Sequence, residues 1–196
     1  MPGPSLIGLT GGIAAGKSEA LRILAGLGAE TVSTDGLVHE LLGTAAVRDR
    51  LVERWGEAVA PGGEVDRAAV AAIVFERPGE LRWLESLLHP LVRRRVEEWA
   101  LGLPAGTDVA VVEVPLLFEG DMAPVFDATI TVVAADEHRL ARAAARGHGG
   151  LEGRSGRQLS QEEKASRATH VVENHGSVED LERDLERLFP RLAAGR

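Results

Sequence analysis

The run GLTGGIAAGKS, from Gly8 to Ser18, follows a short apolar stretch and opens an apolar-periodic segment. It matches G-x-x-x-x-G-K-[ST] at Gly11, Gly16, Lys17 and Ser18. A loop so poor in side chains lets successive backbone N–H groups turn inward, and the helix that follows sets its positive end against the same anion. Residues 11 to 18 are then a phosphate cradle formed by Gly11, Gly12, Ile13, Ala14, Ala15, Gly16, Lys17 and Ser18. Lys17 is the cation that reaches the β- and γ-phosphates, and the Ser18 hydroxyl is the ligand for Mg²⁺. A plain glycine turn would account for Gly8, Gly11, Gly12 and Gly16, but not for Lys-Ser at the place where phosphate chemistry needs it. Such a loop works only between a strand and a helix, so the chain is expected to build an α/β fold around it.

The 196 residues give room for one α/β domain with a small subdomain and little more. A formal charge of -8 offers no global field for a polyanion, so nucleic acid is excluded as the main partner and any nucleotide must be held by local donors. With zero cysteines, disulfides and thiolate metal sites are excluded as well. Neither a basic, apolar leader nor a long apolar span is present, which points to a soluble cytoplasmic protein that does not enter a membrane. Small-molecule substrates and a monomer or weak homo-oligomer are expected.

Taken in order, SLIGL at 5 to 9 reads as a buried strand and Lys17 to Leu27 as the helix behind the loop, with Ala20, Leu21, Ile23, Leu24 and Leu27 on its apolar face. Gly28 stops it, and Ala29 to Ser33 supplies a second strand in a parallel βαβ unit. Asp35 falls just beyond that strand's carboxyl end, where open α/β sheets bind ligands; it reads equally as the N-cap of a helix over Gly36 to Leu42. His39 reads as a helix-surface residue. From Thr44 to Leu103 helical periodicity takes over, all three tryptophans (Trp55, Trp83 and Trp99) fall in this stretch, and breaks are expected at Pro61-Gly62-Gly63, Arg77-Pro78-Gly79 and His89-Pro90. This insertion is assigned to acceptor binding.

DVAVVEV at 108 to 114 is a strand covered on both faces, with Glu113 and Glu119 near its carboxyl end as candidates to orient Mg²⁺-bound water or substrate. TITVVA at 129 to 134 is the next strand. Beyond it, Arg139, Arg142 and Arg146 recur at helical spacing before the glycines from Gly147 to Gly156, a pattern that suits a mobile lid carrying arginines. A helix over Ser160 to Arg167, a strand HVVE at 170 to 173 and an amphipathic helix from Ser177 to Leu192 complete the chain.

With these residues in hand the chain resembles the dephospho-coenzyme A kinases over nearly its whole length. The matching stretches are GLTGGIAAGKS, the aspartate of STDGLVHELL, VDRAAVAAIVF, LLHPLVRRRV, VVEVPLLFE and RQLSQEEKASRATHVVENHGS. The resemblance implies a P-loop kinase fold of three layers, like adenylate kinase, with a five-stranded parallel sheet, a helical acceptor-binding insertion and a lid. It also implies ATP-dependent phosphorylation of the ribose 3′-hydroxyl of dephospho-coenzyme A, with ATP and Mg²⁺ required. Another P-loop small-molecule kinase is the nearest rival; a P-loop switch protein would carry D-x-x-G and N-K-x-D, and neither is present.

By the same resemblance Asp35 is the general base, and Arg142 and Arg146 close over the transferring phosphoryl. Asn174 lies near the adenine, and Glu19 beside the nucleotide. His89, Arg93 or Arg94, Leu117 and Glu119 contact the acceptor. One single domain is expected, its core over 1–43, 104–135 and 168–196, the insertion over 44–103 and the lid over 136–167. The chain departs from the family pattern at Ala14 and Ala15 (commonly Gly and Ser), Glu19 (often Thr), Ser33 (often Asp) and Gly147 (commonly Asp).

Overall fold

The computed structural model describes residues 3–145 and 158–195, and for 142–145 the backbone alone. Five strands, β1 (Ser5–Gly11), β2 (Glu30–Ser33), β3 (Val109–Glu113), β4 (Ala128–Val133) and β5 (His170–Glu173), form one sheet in the order β2-β3-β1-β4-β5. Each neighbouring pair is parallel. The helices are α1 (Lys17–Gly26), α2 (Thr34–Leu42), α3 (Ala45–Trp55), α4 (Arg67–Glu76), α5 (Pro78–Leu101), α6 (Asp136–Ala145), α7 (Gln161–Arg167) and α8 (Val178–Ala194). Contacts divide the chain into a sheet unit, Met1–Ser33 with Trp99–Arg196, and a helical unit, Thr34–Glu98. The division thus precedes α2, where the sequence suggested residue 44, and Trp99 belongs to the sheet unit.

In the sheet unit, side chains alternate between the two faces as the pleat requires. Ile7, Leu9, Val109, Val111, Ile130, Val132 and Val172 join Ala20, Ile23 and Leu24 of α1 and Leu181, Leu185, Leu188 and Leu192 of α8 in one core. On the opposite face Gly8 lies under Phe126 and Leu117, and a Cβ at Gly8 would come within 2.8 Å of the Phe126 ring. Thr131 on that face donates through Oγ1 to the Lys164 carbonyl of α7 at 3.3 Å. Ser160 and Ser177 cap α7 and α8 in reciprocal capping boxes with Glu163 and Asp180.

In the helical unit, Thr44 and Asp66 cap α3 and α4 through side-chain oxygens that accept backbone N–H groups. The break expected at His89-Pro90 does not occur: α5 runs continuously with Pro90 inside it. Its buried stripe explains this. Leu84, Leu88, Val92 and Val96 repeat at four-residue spacing across the proline, and burying four aliphatic side chains contributes about 6–12 kcal/mol, against about 3 kcal/mol for a proline in a helix interior. Beside it, Trp55 and Trp83 meet edge to face at 5.1 Å, Arg54 lies 5.3 Å from the Trp83 ring centre, and the Trp55 indole N–H donates to Glu80 at 2.7 Å. Arg54 donates to both Glu80 oxygens at 3.0 Å.

Candidate active site

The loop from Gly11 to Gly16 leaves the carboxyl end of β1, the middle strand of the sheet. Gly11 has φ 154 and its missing Cβ would meet the Val132 carbonyl oxygen at 2.3 Å, so only glycine lets β1 and β4 stay paired there. Gly16, at φ 104, is the N-cap of α1 and provides no side-chain acceptor. The first N–H groups of α1 are thus left uncapped by any side chain, which is the arrangement that suits an anion. Lys17 Nζ donates to the carbonyls of Gly11 at 3.2 Å and Gly12 at 3.0 Å, and Ala15 N–H to that of Gly12 at 3.2 Å.

Two side chains from outside the motif hold the rest of the loop. Arg139 of α6 donates through Nε to the Ile13 carbonyl at 2.9 Å and pairs with Asp136 at 2.8 Å. Asn174, expected beside the adenine, is buried at the end of β5 and donates through Nδ2 to the Ala15 carbonyl at 2.8 Å. Arg139 and Gln161 also come close enough to Gly12 that a Cβ there would lie 3.0–3.3 Å from them. Gln161 itself exchanges two 2.9 Å hydrogen bonds with the backbone of Ala134, fastening α7 to the end of β4.

Underneath the loop, Lys164 of α7 has no exposed side-chain surface. Its Nζ donates to the Pro115 carbonyl at 2.8 Å, to Thr10 Oγ1 at 3.4 Å and to Glu119, whose Oε1 lies at 2.9 Å. Glu119 Oε1 also accepts the Leu159 N–H at 2.9 Å. Glu119 Oε2 lies 3.2 Å from the same ammonium, so both oxygens of Glu119, an expected acceptor contact, are engaged within the protein. Leu117, the other expected acceptor contact near it, is 0% exposed and packs over Gly8. Glu113, 8% exposed, sits at the carboxyl end of β3 in register with Leu9 and Ser33.

Ser18 is exposed as the second residue of α1. One neutral hydroxyl beside a helix N-terminus fits Mg²⁺, which takes few protein ligands and completes its shell with phosphate oxygens and water. No group of three or more His, Asp or Glu side chains able to hold a metal occurs among the described residues. Glu19 turns to Arg22 at 2.6 Å, and that hydrogen bond lowers its carboxyl from the usual range.

In the helical unit Asp35 is the second residue of α2, exposed and inside the helix rather than its cap, because α2 already begins at Thr34. His39 accepts from Arg67 Nη1 at 2.7 Å through Nδ1. His89 and Arg93 are exposed and stand four residues apart on α5, hence on one face, while Arg94 is paired with Glu98 at 3.2 Å. Arg142 lies in α6, its side chain outside what the structure describes, and Arg146 with the glycines from Gly147 to Gly156 lies outside the described residues.

Lys164, Gln161 and Thr10 escaped the sequence reading, and Arg139 was read only as one of the arginines of the lid. A signal for the first two was present: QEEKASR, the α7 sequence, has no apolar stripe, and a helix polar all round must be held by polar contacts.

Comparison with known proteins places this geometry. The family described as dephospho-CoA kinase (CoaE) matches residues 5–180. A dephospho-CoA kinase of Deinococcus radiodurans is 39% identical over 193 residues, covering 96% of this chain and 93% of its own. The crystal structure of a Thermus thermophilus protein superposes with TM-score 0.80 at 36% identity, covering 97% of this chain and 99% of the other. That of the Campylobacter jejuni dephospho-CoA kinase gives 0.72 at 25% identity, with 97% and 98% covered. With a parallel five-stranded sheet, a phosphate loop on its middle strand and matches spanning nearly its entire length, this chain belongs to the dephospho-CoA kinase family.

Proposed function

We propose that this chain transfers the γ-phosphoryl group of ATP to the ribose 3′-hydroxyl of dephospho-coenzyme A, giving coenzyme A and ADP, the last step of coenzyme A synthesis. The observation that carries the reading is the loop of residues 11–18, built on the middle strand of a chain with this family membership. It acts in the cytoplasm on small molecules, as a monomer or weak homo-oligomer. No helix among the described residues is long and apolar enough to cross a membrane.

In phosphoryl transfer the protein mainly positions the groups and stabilises charge. The loop amides and the α1 N-terminus bind the ATP phosphates, and Lys17 shifts its ammonium from the Gly11 and Gly12 carbonyls to the phosphate oxygens. Ser18 would hold Mg²⁺ through its hydroxyl, and the ion would supply charge neutralisation for the phosphates. Asp35, exposed two residues beyond the end of β2, accepts the proton of the ribose hydroxyl. His89 and Arg93 bind the acceptor from their shared face of α5. Arg142 and Arg146 bring guanidinium groups to the transferring phosphoryl, whose oxygens suit a planar donor fork.

Purified protein incubated with ATP, Mg²⁺ and a panel of acceptors (dephospho-coenzyme A, nucleoside monophosphates, shikimate and sugars) tests this directly, with products identified by mass. Phosphorylation of dephospho-coenzyme A above all others is expected. Preference for another acceptor would replace the reading with that of a different small-molecule kinase.

A further inference from the structure

Ala14 has φ 58, a left-handed conformation that a residue with a Cβ adopts at a cost. Turning over the peptide plane between Ile13 and Ala14 would take that φ to about -120°, in the open β region, and relieve the strain. The same turn would reverse the Ala14 N–H, because N–H and C=O point in opposite directions across a trans peptide. The strained form therefore needs something outside the loop to hold the Ile13 carbonyl where it is.

Arg139 is placed to do that. Its Nε donates to the Ile13 carbonyl at 2.9 Å, and the guanidinium is oriented by Asp136, three residues earlier on α6, at 2.8 Å. The side chain is 15% exposed, so this hydrogen bond is largely sheltered from competing water. The plane after next is treated alike: Asn174 Nδ2 donates to the Ala15 carbonyl at 2.8 Å and so sets the direction of the Gly16 N–H. Both donors grip carbonyls from outside the loop, so the paired N–H groups face the other way.

We propose that Arg139 is a positioning residue for phosphate binding, one that acts through the Ile13–Ala14 peptide and keeps the Ala14 N–H directed into the cradle. The inference rests on the reading of residues 11–18 as the ATP phosphate site. It separates Arg139 from Arg142 and Arg146, whose proposed role is at the transferring group itself. A consequence is that the beginning of α6 and the geometry of the loop are tied by one hydrogen bond.

The test is an epistasis experiment between Arg139→Met and Ala14→Gly. Glycine adopts positive φ without penalty, so it removes the strain that Arg139 restrains. Arg139→Met is expected to weaken ATP binding, measured by calorimetry without turnover, on the order of tenfold. The KM for dephospho-coenzyme A and the Tm should stay near the parent values. Adding Ala14→Gly to Arg139→Met should recover a large part of the ATP affinity, the recovery being read against Ala14→Gly alone as the reference. Arg139→Gln, which keeps an N–H donor, should retain more affinity than the methionine variant, and it carries the comparison if that variant does not fold. ATP affinity within twofold of the parent for Arg139→Met, or a loss that Ala14→Gly leaves untouched, overturns the proposal while leaving the kinase reading intact. A parent protein that binds no ATP overturns both.

Discussion

Lys164 and Glu119 form an ion pair at 2.9 Å whose lysine has no exposed side-chain surface and whose carboxylate is 13% exposed. Removing one member of a buried pair strands the other charge in a medium that solvates it poorly, at a cost of about 3–5 kcal/mol. Lys164→Met should therefore lower the Tm by roughly 10 °C for a chain of this size. Adding Glu119→Gln removes the stranded charge and keeps an acceptor for the Leu159 N–H, so the double variant should regain at least half of the loss in a thermal melt. A double variant no more stable than Lys164→Met would mean that charge burial is not what the pair controls.

Lys17→Ala should lower kcat by about 10²–10³-fold, the scale on which a single donor to a developing charge contributes. EDTA should abolish turnover in the parent, since triphosphate charge must be neutralised where it is transferred. The check is a coupled ADP-release assay run with both proteins, with and without chelator. Turnover that survives either change would contradict the phosphate-loop assignment.

Asp35 stands exposed in the first turn of α2. Asp35→Asn keeps its size and removes only a modest helix-dipole contribution, about 0.3–1 kcal/mol, so the Tm should move by no more than a few degrees. Loss of a general base should lower kcat by about 10²-fold or more. If stopped-flow and melting data give a near-parent kcat, the base must be sought elsewhere, with Glu113 next in line.

For Arg142 the expectation is a loss in kcat larger than the loss in ATP affinity, because its charge is needed most when the phosphoryl is in transit. Measuring kcat and ATP Kd for Arg142→Ala and Arg146→Ala decides it. Should neither variant change kcat, these arginines decorate a solvated helix and the lid assignment falls.

Glu80 should give the helical unit a specific response to acid. The hydrogen bonds from Arg54 and then Trp55 hold its carboxyl at about 2, against an ordinary 4.5. A carboxyl depressed in the folded state stabilises fully above its ordinary value, and that contribution disappears as pH falls from about 4.5 toward 2. Trp55 and Trp83 emission should report the loosening in that window, and Glu80→Gln should flatten it. Superimposable acid titrations of parent and variant would refute the link.

How much could be read beforehand varied with the physics of each element. Strands β3 and β4 announce themselves because both faces are covered: Val109 to Val112 is an unbroken apolar run, and Ile130 to Val133 is interrupted only by Thr131, a β-branched residue. The phosphate loop is legible because its chemistry demands particular residues at particular places. Pro90 misled because a local breaker was outweighed by the buried stripe from Leu84 to Val96, a sum over the whole helix. The packing of Leu117 over Gly8 and the pairing of Glu119 with Lys164 were not legible, because those partners lie far away in the chain. Lys164 itself was only half legible: the all-polar α7 sequence signals polar contacts but not which of its side chains is buried.

The middle position of β1 bears on how the chain comes into being. β1 leaves the ribosome well before its partners, β3, starting at Val109, and β4, starting at Ala128. At ordinary rates of synthesis the first strand waits on the order of ten seconds, both edges unpaired, before either neighbour exists. The helices of Thr34–Glu98 close among themselves over short sequence separations and can form during that wait. A nascent chain halted before β3 would hold the GKS sequence complete but only β1 and β2, which are not neighbours in the sheet. β1 is thus made well before the strands that enclose it, and an apolar β-strand left open that long is a ready site for a chaperone or for misassociation.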